Sequence, residues 1–330
     1  MAPLIAIEEH YISPLLDDGP GGPRDVIKRT FGPAVLDKLA DVGPARLQEM
    51  AKDSVAVTVL SHLPMSVGGA ERCAAINDDL HSRIARHPDR YAAFALLPME
   101  DPAAAAEELR RAVRRLGFVG ALVQNHLDDG TFFDAPRFDP LWAAAEDLAV
   151  PVYLHPAYPP ADESRLNFDG AGAYGPPVAA ALGAWAWGWH SRTGLHLLRL
   201  FAAGVFDRFP RLQLVLGHMG EMLPFMLDRV VRFSADWPPR RRRRLRDVWD
   251  ANVWVTTSGM FSLAPMACLL RETRPERLVF SVDYPFSANR EGRRFMDELR
   301  GSGLVSEAEW EGIAWRNVKG LLRLDLEPAL

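Results

Sequence analysis

Histidine and acidic side chains recur along the 330-residue chain at the ends of short apolar segments. The chain contains nine histidines, and five of them stand at or just past such an end: His10, His62, His126, His155 and His218. Because histidine is an uncommon residue, chance does not readily explain this placement. Imidazole and carboxylate groups that gather at one place bind divalent metal ions or transfer protons. The sequence therefore predicts a site for metal-dependent or acid–base chemistry.

The first such group is Glu8-Glu9-His10, at the end of a predicted strand. Side chains alternate between the two faces of a strand, so we expect Glu8 and His10 to share one face and Glu9 to lie on the other. A carboxylate and an imidazole on one face form half of a divalent-metal site. A lone salt bridge at a strand end is the alternative that this segment leaves open.

Three later apolar segments also end in ionisable residues. His155 follows one of them and His218 another, and Glu221 comes three residues after His218. At that spacing the carboxylate of Glu221 can face the imidazole. Asp283 ends the third segment. Taken singly, each histidine could be an ordinary core residue, and Asp283 could cap a helix.

Eight short apolar segments are the predicted strands that position these residues. They are Leu4–Ile7, Val55–Leu60, Tyr91–Leu97, Val119–Val123, Val152–Leu154, Leu212–Leu216, Val253–Thr257 and Leu278–Val282. Each is apolar on both faces, which is typical of a strand covered on both sides. The helical patterns between them include Ala70–Arg86, Pro102–Leu116, Pro136–Leu148 and Pro177–Ala203.

Strands that alternate with helices, without a long linker or a change in composition, predict an α/β fold. The specific expectation is a (β/α)8 TIM-type barrel that forms a single domain over residues 1–330. A doubly wound open sheet is the alternative, but no GxGxxG motif follows the first strand.

Closure of such a barrel would bring the ionisable residues together, because active sites lie at the carboxyl ends of the strands. The residues expected to converge are Glu8, His10, His155, His218 and Asp283. Two carboxylates and three neutral imidazoles suit one divalent metal ion, either zinc or manganese, with a coordination position left for substrate.

Two segments stand apart from the barrel pattern. Residues 156–177 are rich in Pro, Gly and Asp and are a predicted βα loop insertion on the catalytic face, where long loops often act as lids. Arg240–Arg244 is a run of five arginines. A nucleic-acid patch is one interpretation, but a solvated helix start or a subunit contact is preferred because the net charge of the whole chain is −5.

Composition excludes several other classes of protein. Hydrophobic residues make up 48% and charged residues 25%, as in ordinary folded proteins. Cys73 and Cys268 lie far apart, which excludes a thiolate zinc cluster or a disulfide scaffold. No apolar stretch approaches the roughly 20 residues of a membrane span, and the N-terminus does not resemble a signal peptide. We therefore expect a cytoplasmic protein without a nucleic-acid or membrane partner.

Longer motifs give the chain a family resemblance. They are Ala6–His10, Val152–Pro156, Gly204–Glu221, Thr256–Gly259 and Phe280–Phe286. In these motifs, which run in family order over nearly the whole chain, the sequence resembles the metal-dependent decarboxylases of the amidohydrolase superfamily. Glu-x-His, rather than His-x-His, at the first strand favours the branch that acts on hydroxylated benzoates.

The resemblance implies a distorted barrel, one catalytic divalent metal ion, an aromatic carboxylic acid as substrate and a homodimer or homotetramer. The metal ligands that it implies are Glu8, His10, His155 and Asp283. His218 and Glu221 match the paired residues beside the metal. The chain departs from the family at Arg192, where relatives usually carry an acid, and at His62, where an apolar or small residue is expected. These departures bear on the substrate more than on the chemistry.

Non-oxidative loss of carbon dioxide from an aromatic ring requires protonation of the ring carbon that bears the carboxylate. Asp283 is the predicted proton donor, with Glu221 orienting His218. The side chains predicted to contact the substrate are Phe286, Trp187 and His62. A metal-dependent hydrolase or hydratase on the same scaffold is the alternative function, and a non-catalytic binding protein is a more remote one.

Overall fold

A computed structural model describes residues 2–17, 19–238 and 241–325 of the chain. Its strands are β1 (Leu4–Tyr11), β2 (Val55–His62), β3 (Tyr91–Ala93), β4 (Ala121–Gln124), β5 (Val152–His155), β6 (Leu214–Leu216), β7 (Val253–Thr256) and β8 (Leu278–Val279). All eight predicted strands are confirmed, although several boundaries differ. The first strand continues to Tyr11, so Glu8 and His10 lie within it rather than beyond its end.

Seventeen helical segments occur within the described residues. They are α1 (Pro23–Phe31), α2 (Pro33–Ala40), α3 (Pro44–Lys52), α4 (Ala70–Ile84), α5 (Pro102–Leu116), α6 (Asp139–Leu148), α7 (Ala161–Asn167), α8 (Pro176–Gly183), α9 (Gly188–Ala202), α10 (Val205–Arg208), α11 (His218–Glu221), α12 (Leu223–Ser234), α13 (Leu245–Asn252), α14 (Leu263–Glu272), α15 (Asn289–Gly301), α16 (Glu307–Glu311) and α17 (Asn317–Leu322). Two 3₁₀ turns and a π-helical turn are also present, at Pro136–Phe138, Pro275–Arg277 and Gly312–Arg316.

The best-predicted helix is α5, which has the expected boundaries. The Asp101 carboxylate accepts hydrogen bonds from the backbone amides of Ala103 and Ala104, both at 3.1 Å, and so caps the helix. The single helix predicted over Pro177–Ala203 is wrong, because the chain turns between α8 and α9. At this turn the backbones approach so closely that a Cβ on Gly188 would lie 2.3 Å from the carbonyl oxygen of Gly183.

The strands are all parallel and pair in sequence order, in one sheet of β1 to β3 and another of β4 to β8. Single parallel bridges join the sheets at both edges, between Ala95 and Ala121 and between Glu9 and Tyr284. The expected α/β barrel is therefore present. It is distorted because few backbone hydrogen bonds join the two sheets at the edges where they meet.

Apolar side chains fill the space on both sides of the strands. The inner group includes Ile5, Val57, Leu122, Tyr153 and Val215, all at most 2% exposed. A larger group packs the helices against the outer faces of the strands. Burial on both faces explains the short, continuously apolar strands of the sequence. Within the described residues, none of the helices has the length and apolar character required to cross a membrane.

Candidate active site

Four ionisable side chains from three strands meet at the carboxyl end of the barrel. Glu8 and His10 lie on β1, His155 ends β5, and Asp283 follows β8. One ligand atom from each lies within 4.8 Å of the others. The Nε2 atom of His155 lies 3.2 Å from Nε2 of His10 and 3.0 Å from Oε1 of Glu8. We call these four residues the ligand cluster.

The ligand cluster fits a divalent metal ion. Two atoms that are each about 2.1 Å from a common ion lie about 3.0–3.4 Å apart, which is close to the separations seen here. Oε1 of Glu8 and Oδ1 of Asp283 are buried and have no hydrogen-bond partner among the described residues. Nδ1 of His155 lies 2.7 Å from the Pro156 carbonyl, which can only accept, so Nδ1 carries the hydrogen and Nε2 would be free to bind an ion.

The electrostatics of the cluster also favour a cation. Burial raises the pKa of the Glu8 carboxyl, but His218 and His155 outweigh this effect and the pKa is lowered. Burial likewise raises the pKa of Asp283, but the neighbouring His10 and His218 imidazoles outweigh this effect and bring the pKa well below its usual range. Two buried carboxylates therefore stay ionised side by side, an arrangement that needs positive charge between them.

Polar neighbours orient the ligands. The Tyr153 hydroxyl donates to Oε2 of Glu8, which leaves Oε1 facing the cluster. Thr256 lies 3.0 Å from the Tyr153 hydroxyl. Ser61, on β2, lies 3.2 Å from Nδ1 of His10, the ring nitrogen that faces away from the cluster. Groups in this position commonly set both the orientation and the basicity of metal ligands.

Glu9 points away from Glu8 and His10, as alternation along a strand predicts. Its carboxylate accepts from the backbone amides of Val282, at 2.9 Å, and of Tyr284, at 3.1 Å. Burial raises the pKa of Glu9 to about 8 despite these bonds. Because the two amides flank Asp283, Glu9 holds the segment that carries this ligand against β1. No signal in the sequence pointed to this role of Glu9.

His218 and Glu221 lie beside the cluster on an unusual turn. Nδ1 of His218 is 2.8 Å from Oε1 of Glu221, and its Nε2 is 3.7 Å from Oδ2 of Asp283. Backbone φ is positive at every residue from 218 to 222. The left-handed conformation costs non-glycine residues about 1–2 kcal/mol each, so the surrounding structure must hold this turn in place. One such contact is the 3.1 Å bond from the His218 amide to the Ser258 hydroxyl.

Phe286 is the predicted substrate contact that the structure brings to the ligand cluster. Its ring centroid lies 5.9 Å from that of His10 and 4.9 Å from that of Phe31. Trp185 lies 6.4 Å from Phe31 and 6.0 Å from Trp189, which in turn contacts Tyr158 at 5.1 Å. The five rings form a chain that leads outward from the cluster: Phe286, Phe31, Trp185, Trp189 and Tyr158. We call this chain the aromatic rim.

Within the described structure, no ring contact or hydrogen bond joins Trp187 or His62, the other predicted substrate contacts, to the ligand cluster. Trp187 is 54% exposed and precedes α9, with no ring contact to another described aromatic residue. His62 packs on Tyr11 at 5.2 Å, and its Nδ1 lies 2.8 Å from the Leu63 carbonyl. Burial lowers the pKa of His62 to about 4. The neutral ring presents an unpartnered Nε2 within the described structure.

Arg192, which departs from the family pattern, holds the loop insertion. Its guanidinium pairs with Glu163 on α7 and donates to the Gly130 carbonyl at 3.2 Å. It also lies over the Phe132 ring at 4.7 Å. Arg192 thus ties residues 156–177, which contain α7 and the start of α8, to α9.

The arginine run lies far from the cluster in sequence and is partly structural. Arg240 lies outside the described residues. The amides of Arg242 and Arg243 donate to the Asp207 carboxylate at 3.0 and 3.2 Å. The Arg243 guanidinium donates to Asn252 at 2.6 Å. Backbone and side-chain groups of the run therefore bond to other residues of this chain.

Sequence reasoning missed several residues of the site. His190, on α9, lies 2.8 Å from Oε2 of Glu221, but its helical context in the sequence offers no signal for this contact. Tyr153 sits in an apolar strand, and its position there predicts only a core residue. Phe31 comes from α1, which the pattern of apolar segments did not predict.

Comparison with known proteins agrees with this architecture. Residues 46–324 match the family described as Amidohydrolase. The chain is 48% identical to "Decarboxylase orsB" of Emericella nidulans over 98% of each chain. It is 37% identical to "Gamma-resorcylate decarboxylase" of Rhodococcus jostii over 97% of this chain and 98% of the other. Both relatives are decarboxylases, which does not favour the hydrolase or hydratase alternative.

Solved structures show the same fold at high coverage. A 2,6-dihydroxybenzoate decarboxylase in complex with 2,6-dihydroxybenzoate is 34% identical, with a TM-score of 0.85 over 98% of this chain and 100% of the other. A dihydroxybenzoic acid decarboxylase from Polaromonas, with bound manganese and the inhibitor 2-nitroresorcinol, is 29% identical, with a TM-score of 0.85 over 99% and 98% of the two chains. This chain belongs to the amidohydrolase family.

Proposed function

We propose that this protein is a metal-dependent, non-oxidative decarboxylase of an ortho-hydroxylated aromatic carboxylic acid. The observation that carries the proposal is the ligand cluster, in which two ionised carboxylates and two imidazoles converge within 4.8 Å beside the Phe286 ring. The similarity over 98% of the chain to a decarboxylase supports the same reaction.

The ligand cluster would hold one divalent ion, through Glu8, His10, His155 and Asp283. When bound, such an ion would supply a Lewis acid that stabilises negative charge on the substrate. The manganese in the Polaromonas structure supports manganese here, although zinc suits the same donor set. Analysis of the metal content of the purified protein distinguishes the two.

Asp283 is the proposed proton donor. Asp283 is ionised in the resting site, so it must take up a proton from solvent before each transfer. Its Oδ1 atom lies 3.2 Å from His10, within the cluster, so Oδ2 is the atom that would carry this proton. The proton passes from Oδ2 to the ring carbon that bears the carboxylate. The bond from that carbon to the carboxylate carbon then breaks, its electron pair returns to the ring, and carbon dioxide leaves. Each turnover consumes one proton, which Asp283 must regain from solvent.

His218 and the aromatic rim complete the proposed site. Glu221 holds Nδ1 of His218, so the ring directs Nε2 towards Asp283 and a substrate hydroxyl beside it. Phe286 and Phe31 offer a flat apolar wall for the substrate ring, and such aromatic contacts orient a planar ligand. Trp187 and His62 remain proposed substrate contacts.

Assembly and location are further parts of the proposal. We infer a homodimer or homotetramer, and exposed apolar side chains on α12, such as Phe225 at 83%, support a subunit contact. Both cysteines are free thiols, which supports the cytoplasm as its location. Light scattering coupled to size-exclusion chromatography measures the assembly directly.

The function is tested by carbon dioxide release from a panel of hydroxybenzoates. The panel contains 2,6-dihydroxybenzoate and 6-methylsalicylate, with 4-hydroxybenzoate as the matched acid that lacks an ortho-hydroxyl. In heavy water, the product is expected to gain one deuterium at the former carboxylate carbon. Release from ortho-hydroxylated acids alone is the expected result.

Metal removal provides the second arm of this test. Dialysis against a chelator is expected to abolish turnover, and manganese or zinc to restore it, because both carboxylates of the cluster require a cation. No carbon dioxide from any metal-loaded sample, or a product that contains oxygen from solvent, would contradict the proposal.

A further inference from the structure

One face of α9 holds the turn that carries His218 and Glu221. His190 and Gly194 are four residues apart on this helix, so they lie on the same face. Nδ1 of His190 is 2.8 Å from Oε2 of Glu221. A Cβ on Gly194 would lie 2.6 Å from the backbone oxygen of Glu221, so the α9 backbone packs directly against the turn. The same helix face therefore contacts both the side chain and the main chain of Glu221.

The left-handed turn needs this support. The backbone φ is 49° at His218, 53° at Met219 and at Glu221, and 64° at Met222. Non-glycine residues keep such values only where surrounding contacts determine them. The Glu221 side chain is 0% exposed, and each of its carboxylate oxygens has one imidazole partner, His218 on Oε1 and His190 on Oε2. The two histidines together determine the orientation of the carboxylate.

The hydrogen bonds of His190 also fix its ring. Nε2 lies 3.1 Å from the Trp185 carbonyl, which can only accept a hydrogen bond. Nδ1 faces the Glu221 carboxylate, which only accepts when ionised. Each ring nitrogen of His190 therefore faces an acceptor, the Glu221 carboxylate at Nδ1 and the Trp185 carbonyl at Nε2. Because Trp185 belongs to the aromatic rim, His190 connects the rim to the turn.

We propose that His190 is a positioning residue of the active site. It holds the Glu221 carboxylate and thereby sets the orientation of the His218 imidazole towards Asp283. This inference rests on the proposed function, because the contribution of His218 to turnover is part of that function. Without His190, Oε2 of Glu221 is buried without a donor, and the carboxylate is free to turn away from His218.

Two substitutions at position 190 test the proposal. His190→Ala removes the imidazole and its bond to Glu221, whereas the amide nitrogen of His190→Asn can replace Nδ1 and still donate to Glu221. We expect kcat of His190→Ala to fall about 10–100-fold, the usual cost of losing a hydrogen-bond partner behind an active-site group. We expect KM to change by less than about twofold, because the lost contact orients a group and does not bind substrate. His190→Asn should keep most of the kcat.

Ser191→Ala is the matched control on the same helix, because the Ser191 hydroxyl bonds to the Gly188 carbonyl and not to the turn. It should behave as the wild type does. If His190→Ala does not fold, His190→Leu takes its place, since leucine fills similar volume and donates no hydrogen bond. Wild-type kcat in the folded Ala or Leu variant overturns the proposal, as does a loss in His190→Asn equal to that in His190→Ala.

Proton NMR of the metal-free, substrate-free protein gives a readout that does not depend on activity. The Nδ1–H of His218, bonded to Glu221, should give a downfield and slowly exchanging resonance. We expect it in the wild type, His190→Asn and Ser191→Ala, and its loss or movement towards the free position in His190→Ala. An unchanged resonance in His190→Ala contradicts the proposal. Failure of the wild type to release carbon dioxide would instead count against the proposed function, while the NMR comparison still tests the positioning role.

Discussion

The ligand cluster and the aromatic rim form two sides of one site, and they are built differently. Glu8, His10 and His155 lie on strands, Asp283 lies four residues after β8, and side-chain exposure among the four is 15% or less. The rim comes from α1, the loop insertion, α9 with the segment before it, and the segment after β8, and its Trp185 and Tyr158 are each 47% exposed. Hydrogen bonds hold the cluster, whereas ring contacts hold the rim.

This difference assigns separate tasks to the two sides. Charged groups that transfer a proton or hold a metal ion must keep their geometry to fractions of an ångström, and strands of a closed barrel provide that rigidity. Loops and exposed rings adapt more easily, and they are where related barrels vary their substrates. We therefore expect changes in the cluster to affect turnover of every substrate, and changes in the rim to affect substrate preference.

The largest effect is expected from the cluster. Asp283→Asn should lower turnover of an ortho-hydroxybenzoate by about 10²–10⁴-fold while the protein stays folded, because an amide cannot donate the acid proton. The rate at saturating substrate measures turnover, and circular dichroism shows whether the protein stays folded. Asp89→Asn, at an exposed position, is the control. A variant that keeps more than about a tenth of the rate would show that Asp283 is not the proton donor.

A smaller loss should follow from Tyr153→Phe, which removes the hydroxyl that holds Oε2 of Glu8. We expect metal affinity or turnover to fall by about 10–100-fold, because the ligand loses its orienting partner. Titration of the metal-free protein with manganese measures the affinity. Tyr158→Phe, in the rim, is the matched control. Equal manganese affinity and turnover in the two variants would show that the Tyr153 hydroxyl does not orient Glu8 as a metal ligand.

Substitution in the rim should act mainly through KM. Phe286→Ala removes the ring next to His10, and we expect KM to rise about two- to tenfold, as aromatic contacts contribute about 0.5–1.5 kcal/mol. The size of the increase should differ between substrates. Leu304→Ala, at a residue that is 40% exposed and lies between α15 and α16, is the control. A large fall in kcat with KM unchanged would place Phe286 functionally with the cluster.

The smallest effect is expected where the loop insertion is attached. Glu163→Gln breaks the ion pair with Arg192, whose side chain is 11% exposed. We expect a loss of about 1 kcal/mol, or about 2 °C in melting temperature for a chain of this length, with kcat unchanged. Asp162→Asn, one residue earlier and 97% exposed, serves as the control in the thermal melt. A clear fall in kcat would instead make the loop part of the catalytic machinery.

Part of this site could be predicted from residue types and spacing alone. The pairing of Glu8 with His10 and the outward direction of Glu9 follow from alternation along a strand, and the structure has both features. The short apolar strands and the cap at Asp101 were equally predictable, because they depend on neighbouring residues. Contact of Trp187 or His62 with the substrate could not be predicted in this way, because a side chain near the mouth of a barrel can point in several directions.

Local sequence determined which residues carry charge, which segments form strands and which face of β1 each side chain takes, because these properties depend on residues a few positions apart. Only the tertiary structure decided that Glu9 holds the backbone on both sides of Asp283, and that His190 contacts Glu221 on a left-handed turn. Such contacts join residues 31 to 275 positions apart. Their energies depend on the packing of whole elements, and spacing along the chain does not encode them.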